Sequence, residues 1–276
     1  MGRRTQEQDA RFLERYGPWA VVAGAGEGLG AAYAEALARR GLSLLLIDVR
    51  GDALSELAKK LAASYGREVE SVVLDLATHD AVERFERTAA GKDVGLLIYN
   101  AAASSIGEYL DADREAVERT LAVNCRTPSL LCHHFGRRFR ERGRGGIILM
   151  SSMAAFQGNP LLAQYAATKA YNLILAEGLW WECRGHGVDV LACVPGATLT
   201  PGYLALRGSK ATAPFPPEMT PAAVVEEALA ALGTGPSLIP GWANRLSAAL
   251  MQRLLPRRRA IKLMGRVARK LRFNRS

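Results

Sequence analysis

Hydrophobic positions in this chain fall into short unbroken runs, separated by longer alanine- and leucine-rich stretches in which apolar residues return every three or four positions. The short runs Pro18–Ala23, Ser43–Asp48, Glu70–Asp75, Val94–Asn100, Gly146–Ser151, Val188–Val194 and Ser237–Pro240 have strand length. The longer stretches predict helices over Leu29–Arg40, Asp52–Tyr65, His79–Ala90, Asp113–Ala122 running on through Pro128–Arg142, Gln164–Gly185 and Pro221–Leu232. A run such as Leu44-Leu45-Leu46-Ile47 shows no in-out alternation, which a strand covered on both faces requires. Regular alternation of strand and helix therefore predicts an α/β fold built on a doubly wound, parallel, seven-stranded sheet. The stretch Gly196–Met219, with Tyr203, Leu204, Leu206, Pro214, Phe215, Pro216 and Pro217, reads as a long irregular connection of the kind that closes over a site.

Composition supports one large folded unit: 276 residues, 49% hydrophobic and 23% charged, exclude wholesale disorder. No apolar run reaches the 18 or so residues of a spanning helix, so a membrane-crossing chain is not expected. Met1–Gly17 is charged and lacks an apolar core, and Gln6 stands where an acylation signal wants Ser or Thr, so neither export nor N-acylation is expected. Cys125, Cys132, Cys183 and Cys193 have no metal-ligand spacing and read as reduced residues of a cytoplasmic protein without a metal site. The formal net charge of +9 is local. Arg253–Ser276 holds ten Arg or Lys and no acid, whereas the other 252 residues carry 26 basic against 27 acidic side chains. With no basic face on the body, nucleic-acid binding is not expected.

The chemistry starts at the first strand, which runs into Gly24-Ala25-Gly26-Glu27-Gly28-Leu29-Gly30 and then a helix. Glycines there let a pyrophosphate approach the helix N-terminal amides, although any tight strand-to-helix turn needs small residues. Asp48 ends the second strand, where a carboxylate can bond ribose hydroxyls and repel a 2′-phosphate; Glu27 adds a second acid, while Arg50 argues the other way. Tyr165 and Lys169 sit four apart on one helix face, the one case among eight tyrosines. An ammonium beside a phenol favours the phenolate and so a general acid/base. Ser152 lies at the carboxyl end of the fifth strand, where it can donate to a carbonyl oxygen.

Taken in order, these residues resemble the short-chain dehydrogenases/reductases over about Gly17–Leu232: the glycine turn (Gly24, Gly28, Gly30), Asp48, Asp75-Leu76, Asn100-Ala101-Ala102-Ala103, Asn124, Ser152, Tyr165 with Lys169, and Pro195-Gly196 followed by Thr198 and Thr200. Ser152 precedes Tyr165 by 13 residues, the usual spacing in that family. Ala23 replaces the usual Thr before the first glycine and Ala103 the usual Gly after Asn-Ala-Ala, which puts local hydrogen bonding in question. The resemblance implies a Rossmann-type sheet with order 3-2-1-4-5-6-7. It implies a catalytic tetrad in which Tyr165 moves the proton, Lys169 bonds the nicotinamide ribose and depresses the Tyr165 pKa, Ser152 orients the carbonyl and Asn124 holds a relay water. It also implies an NAD or NADP site made by Gly24, Gly28, Leu29, Gly30, Asp48, Asp75 on the adenine, Leu76, Asn100 and Ala102 along the cofactor, and Pro195, Thr198 and Thr200 around the carboxamide. Homodimers or homotetramers packed through the Tyr165 helix are common in that family.

Met153–Phe156, Pro160–Leu162 and Tyr203–Met219 form an apolar substrate wall with only Arg207 and Lys210 as cations, which points to a lipophilic secondary alcohol or ketone. The expectation is an NAD(H)-preferring oxidoreductase, with an NADPH-dependent 3-oxoacyl or carbonyl reductase as the alternative and a nucleotide-sensing scaffold as the rival of another class. Residues 1–235 read as the catalytic unit, with loop 196–220, and residues 236–276 as the last strand and a basic helical extension. That ending looks like that of a bacterial subgroup related to steroid and 3-oxoacyl reductases. In the extension Ile261, Met264, Val267, Ala268 and Leu271 share a face ringed by Arg257, Arg258, Arg259, Lys262, Arg266, Arg269 and Lys270. Such a helix over 257–273 suits an anionic membrane surface, and equally its own domain or a partner subunit.

Overall fold

Successive residues of each apolar run turn to opposite faces of one sheet, and both faces are covered. Val22, Leu44, Leu46, Ile98 and Ile148 belong to one buried cluster, and Val21, Leu45, Ile47, Leu97 and Ile147 to the other. The computed structural model describes residues 3–207 and 216–273. Its strands are β1 (Trp19–Ala23), β2 (Ser43–Asp48), β3 (Val69–Val73), β4 (Val94–Tyr99), β5 (Gly145–Met150), β6 (Val188–Cys193) and β7 (Ser237–Leu238). All pair in parallel, in the order β3-β2-β1-β4-β5-β6-β7. The order reverses between β1 and β4, and open sheets of this kind bind ligands at the carboxyl edge of such a switch point.

The connecting helices are α1 (Arg3–Tyr16), α2 (Gly28–Arg39), α3 (Gly51–Tyr65), α4 (Ala81–Ala89), α5 (Arg114–Leu121), α6 (Thr127–Arg142), α7 (Ala163–Cys183), α8 (Pro201–Arg207), α9 (Pro221–Ala231), α10 (Trp242–Leu254) and α11 (Arg257–Phe273). Four differences from the sequence reading matter. α1 was not expected, because only Phe12, Leu13 and Tyr16 give it an inner face; it is held by Tyr16 Oη and Arg15 Nε donating to Asp189 at 2.6 and 2.5 Å. β3 ends at Val73, so Leu74, Asp75 and Leu76 lie past the strand, free to reach the carboxyl edge.

The helix expected to run unbroken to Arg142 widens instead into a π turn at Ala122–Arg126. Pro128 has no N–H to give the carbonyl four residues back, that of Asn124, and the turn opens there. The connection expected to be irregular contains α8; its Lys210, Pro214 and Phe215 lie outside the described residues, as do the side chains of Leu206, Arg207, Val267, Lys270 and Leu271. α11 docks on its own domain: Ala260 is buried, and Ile261 and Gly265 lie over Gly158 and Pro160. Among the described residues no helix is long and apolar enough to cross a membrane, and no acid, His or Cys cluster is placed to hold a metal. All four cysteines are free.

Candidate active site

The strand ends of β1, β2 and β4 line an open cleft of about 450 Å³. Of the expected cofactor residues, Gly24, Gly28, Leu29, Asp48, Asp75, Leu76, Asn100, Ala102 and Thr200 line it. Gly30, Pro195, Thr198 and the expected cofactor contacts Tyr165 and Lys169 do not. Gly30 is needed by the turn itself, since a Cβ there would fall 1.8 Å from the Gly24 carbonyl oxygen. Gly24, at φ +81°, crosses so near β4 that a Cβ would meet Ala101 at 2.6 Å. The Ala23 carbonyl accepts from the Asn100 and Ala101 amides, and the Asn100 amide group donates to the Gly24 carbonyl at 2.8 Å, so Ala in place of Thr leaves this seam closed. α2 begins beside the cleft with no side-chain cap, leaving its first-turn N–H groups for an anion.

At the end of β2 Asp48 is buried and crowded with donors: Gly26 N at 2.8 Å, Arg50 N at 3.0 Å and the Arg50 guanidinium at 3.1 Å. Burial raises its pKa, but these hydrogen bonds outweigh burial and hold the carboxyl below its ordinary value. Arg50 also pairs with Glu27 at 2.6 Å, so two carboxylates restrain the one cation that argued for a 2′-phosphate. Asp75 is in a bidentate pair with Arg119, at 2.7 and 3.1 Å, which lowers its pKa and leaves it fewer free lone pairs for an adenine. Arg119 was not expected at the site: it comes from the last turn of α5, 44 residues from Asp75, and no local motif marks it.

The tetrad residues gather at the carboxyl edge of β5 beside this cleft. Ser152 follows β5 and caps a short 3₁₀ turn over Met153–Phe156, accepting from Ala154 N at 3.2 Å. Tyr165, in the first turn of α7, lies close enough to Ser152 for the hydroxyl to act on its phenol. Burial pushes the phenol up, opposed only by that hydroxyl. The expected depression by Lys169 is not found, because the ammonium lies 5.7 Å from the Tyr165 ring centre and donates instead to the Met150 carbonyl at 2.8 Å. Burial brings the Lys169 pKa down to about 8.

Asn124 differs from expectation in what its side chain does. Its Nδ2 donates to the Ala103 carbonyl at 2.8 Å and to Thr168 Oγ1 at 2.9 Å, and its Oδ1 accepts from Ala103 N at 2.8 Å. The amide is thus a strut between the β4 loop and α7, and Ala103 serves it through its main chain, so the missing glycine costs nothing there. The Asn124 carbonyl loses its α-helical donor to Pro128.

Pro195 accepts from Met153 N at 3.0 Å, next to Ser152, and Thr198 bridges to Met219. Asn244 of α10, not foreseen, donates to the Pro240 carbonyl at 2.8 Å and packs so closely that a Cβ on Gly196 would meet its Oδ1 at 2.6 Å. A second recess of about 330 Å³ adjoins the Tyr165 turn through Leu161, Ala163 and Gln164. Its other wall is Ser105–Gly107 with Glu108, Asp111 and Asp113, a segment left out of the expected apolar wall. Leu161, at φ +66°, holds that segment by accepting from Gly107 N at 3.0 Å. The glycine cradle, the uncapped start of α2 and the buried carboxylate of Asp48 together fit a dinucleotide.

The family model for short chain dehydrogenases matches residues 18–208. A 7beta-hydroxysteroid dehydrogenase of Clostridium sardiniense is 37% identical over 234 residues, covering 85% of this chain and 89% of that protein. A solved structure from work on 7beta-hydroxysteroid dehydrogenase stereoselectivity has 33% identity and a TM-score of 0.86, covering 92% of this chain and 98% of the other. A short-chain dehydrogenase of Sphingobium yanoikuyae in complex with NADPH has 29% identity and a TM-score of 0.73, covering 84% and 91%.

Proposed function

Because this chain belongs to the short-chain dehydrogenase/reductase family and is an oxidoreductase of that family, we propose that it interconverts a lipophilic secondary alcohol, of hydroxysteroid type, and its ketone with NAD(H) preferred. The observation that carries the reading is the grouping of Ser152, Tyr165 and Lys169 at one strand end beside a cleft whose adenosine end is governed by a buried, ionised Asp48. Steroid-type substrates are supported by the name of the Clostridium relative and by Met153, Ala155 and Phe156 packed beside Ser152.

A bound nicotinamide supplies or accepts the hydride. Tyr165 Oη gives the proton to the oxygen that becomes the alcohol, or takes it in the reverse direction. Ser152 Oγ donates to that same oxygen and holds it near the phenol. Lys169, fixed on the Met150 carbonyl, presents its remaining N–H groups toward the ribose hydroxyls, and the Asn124 strut keeps the β4 loop and α7 in register. Asp48 bonds the adenosine ribose, with Asp75 and Arg119 flanking the base and the first turn of α2 receiving the pyrophosphate.

The test is a titration of NADH and NADPH against the wild type and Asp48→Ser. Wild type is expected to favour NADH, and the variant to gain at least tenfold in relative NADPH affinity, since a like charge placed against a phosphate costs several kcal/mol. An unchanged ratio would sink the assignment. Arg50 keeps a second reading in play, an NADPH-dependent 3-oxoacyl or carbonyl reductase, and wild-type preference for NADPH would select it.

Assembly as a homo-oligomer through α7 is supported by its exposed Tyr171, Ile174 and Trp181. These are the residues that a helix-paired homodimer or homotetramer buries, so Ile174→Asp is expected to lower the mass measured by light scattering, whereas an unchanged mass would place the interface elsewhere.

A further inference from the structure

α10 turns Ala243, Asn244 and Ala248 into the protein and leaves an apolar stripe outside. Trp242, Leu246, Leu250 and Leu254 repeat every four residues along its exposed side, and Trp242 and Leu254 are 71% and 72% exposed. Large apolar side chains at this exposure on four successive turns need a covering surface. Its far end runs directly into Pro256 and three exposed arginines, Arg257, Arg258 and Arg259. Among the described residues neither these nor Arg253 nor Lys262 is ion-paired. From Ala228 to Ser276 the chain has no acidic residue.

We propose that the exposed face of α10, with the Arg257–Arg259 cluster at its end, seats the protein on an anionic lipid bilayer. A helix lying in the interface needs an apolar stripe to bury among the acyl chains, an aromatic residue at headgroup level and cations for the lipid phosphates; α10 and the start of α11 supply all three. The role moves from the helix that the sequence favoured to its neighbour, because the start of α11 packs through Ile261 and Gly265 on Gly158 and Pro160, while the stripe of α10 stays exposed. A second copy is a poorer occupant: paired in parallel, this acid-free segment would bring two arginine clusters together, and paired antiparallel it would offer each cluster no carboxylate. The proposal does not depend on the catalytic reading, since α10 lies outside the tetrad and the nucleotide cleft.

The test is co-sedimentation of the full chain with vesicles of phosphatidylcholine alone and of phosphatidylcholine mixed with phosphatidylglycerol. Two variants accompany it: Leu246→Ser/Leu250→Ser/Leu254→Ser and Arg257→Gln/Arg258→Gln/Arg259→Gln. Wild type is expected to partition onto the anionic vesicles and not the neutral ones. The arginine variant should lose on the order of a hundredfold in partition and the leucine variant at least tenfold. NADH affinity serves as the folding control and is expected to stay unchanged in both. Three outcomes overturn the proposal: no partition onto anionic vesicles; partition that needs the arginines but not the leucines, which marks a general polyanion contact; or a leucine variant whose only change is a smaller mass in solution, which gives the stripe to a second copy.

Discussion

Tyr165→Phe is expected to lower turnover of an apolar ketone by about a thousandfold or more, within the range that a positioned general acid supplies. NADH affinity is expected to change by less than about tenfold, because the ring keeps its packing and only Oη is lost. The reason for so large an effect is that, among the described residues, no other proton donor is placed to serve the developing alkoxide. Ser152 is a neutral hydroxyl that already accepts from Ala154 N, and Lys169 is turned to the Met150 carbonyl. Steady-state turnover and a fluorescence titration of NADH on the same preparation separate the outcomes. Full turnover in the variant would remove Tyr165 from the chemistry. Nucleotide binding without turnover in the wild type itself, across steroid, acyl and aromatic ketones, would favour the scaffold reading.

Lys169→Met is expected to move activity and stability in opposite directions. Lys169 is 3% exposed, its charge meets one carbonyl, and burial holds its pKa at about 8 against an ordinary 10.5. Holding that ammonium costs the native state about 3 kcal/mol at neutral pH. The Met150 carbonyl left without its donor takes back about 1 kcal/mol. The net expectation is a gain of roughly 1–2 kcal/mol in unfolding free energy alongside loss of turnover.

The sign with pH follows from linkage. The unfolded chain binds the Lys169 proton more tightly than the native one, so the penalty is complete below about pH 8 and fades as pH rises from about 8 toward 10.5. The stability advantage of the variant is therefore expected to shrink over that window in urea titrations. In wild type, ketone reduction needs both Tyr165 and Lys169 protonated, so its rate is expected to be level at neutral pH and to fall through about pH 8. Alcohol oxidation is expected to rise over the same range. A variant less stable than wild type at pH 7 would show that the ammonium is better solvated than the structure indicates.

Most of the architecture is legible along the chain. Runs such as Leu44–Ile47 that are apolar on both sides can only be strands buried on two faces, and their spacing by helix-length stretches forces parallel crossovers. The glycine turn is legible for a steric reason: Gly24 and Gly30 sit where a Cβ would strike backbone, so the residues announce the geometry. Pro128 inside a helix-like stretch also carried information, since a residue without an N–H marks where the helix must open, at Asn124. α1 was hidden because it is mostly charged and polar, with its large apolar residues Phe12, Leu13 and Tyr16 confined to its last turns.

The chain alone determined the sheet, the glycine cradle, the acid at the end of β2 and the pairing of Tyr165 with Lys169, because each depends on near neighbours in sequence or on a repeat that local geometry imposes. Tertiary structure decided how those groups are charged and to whom they are bonded. Only the fold brings Arg119 to Asp75, sets Arg50 between Glu27 and Asp48, buries Lys169 against the Met150 carbonyl, and seats Ile261 and Gly265 of α11 on Gly158 and Pro160. Burial and contact between residues far apart in sequence set these energies, and neither leaves a periodic trace along the chain.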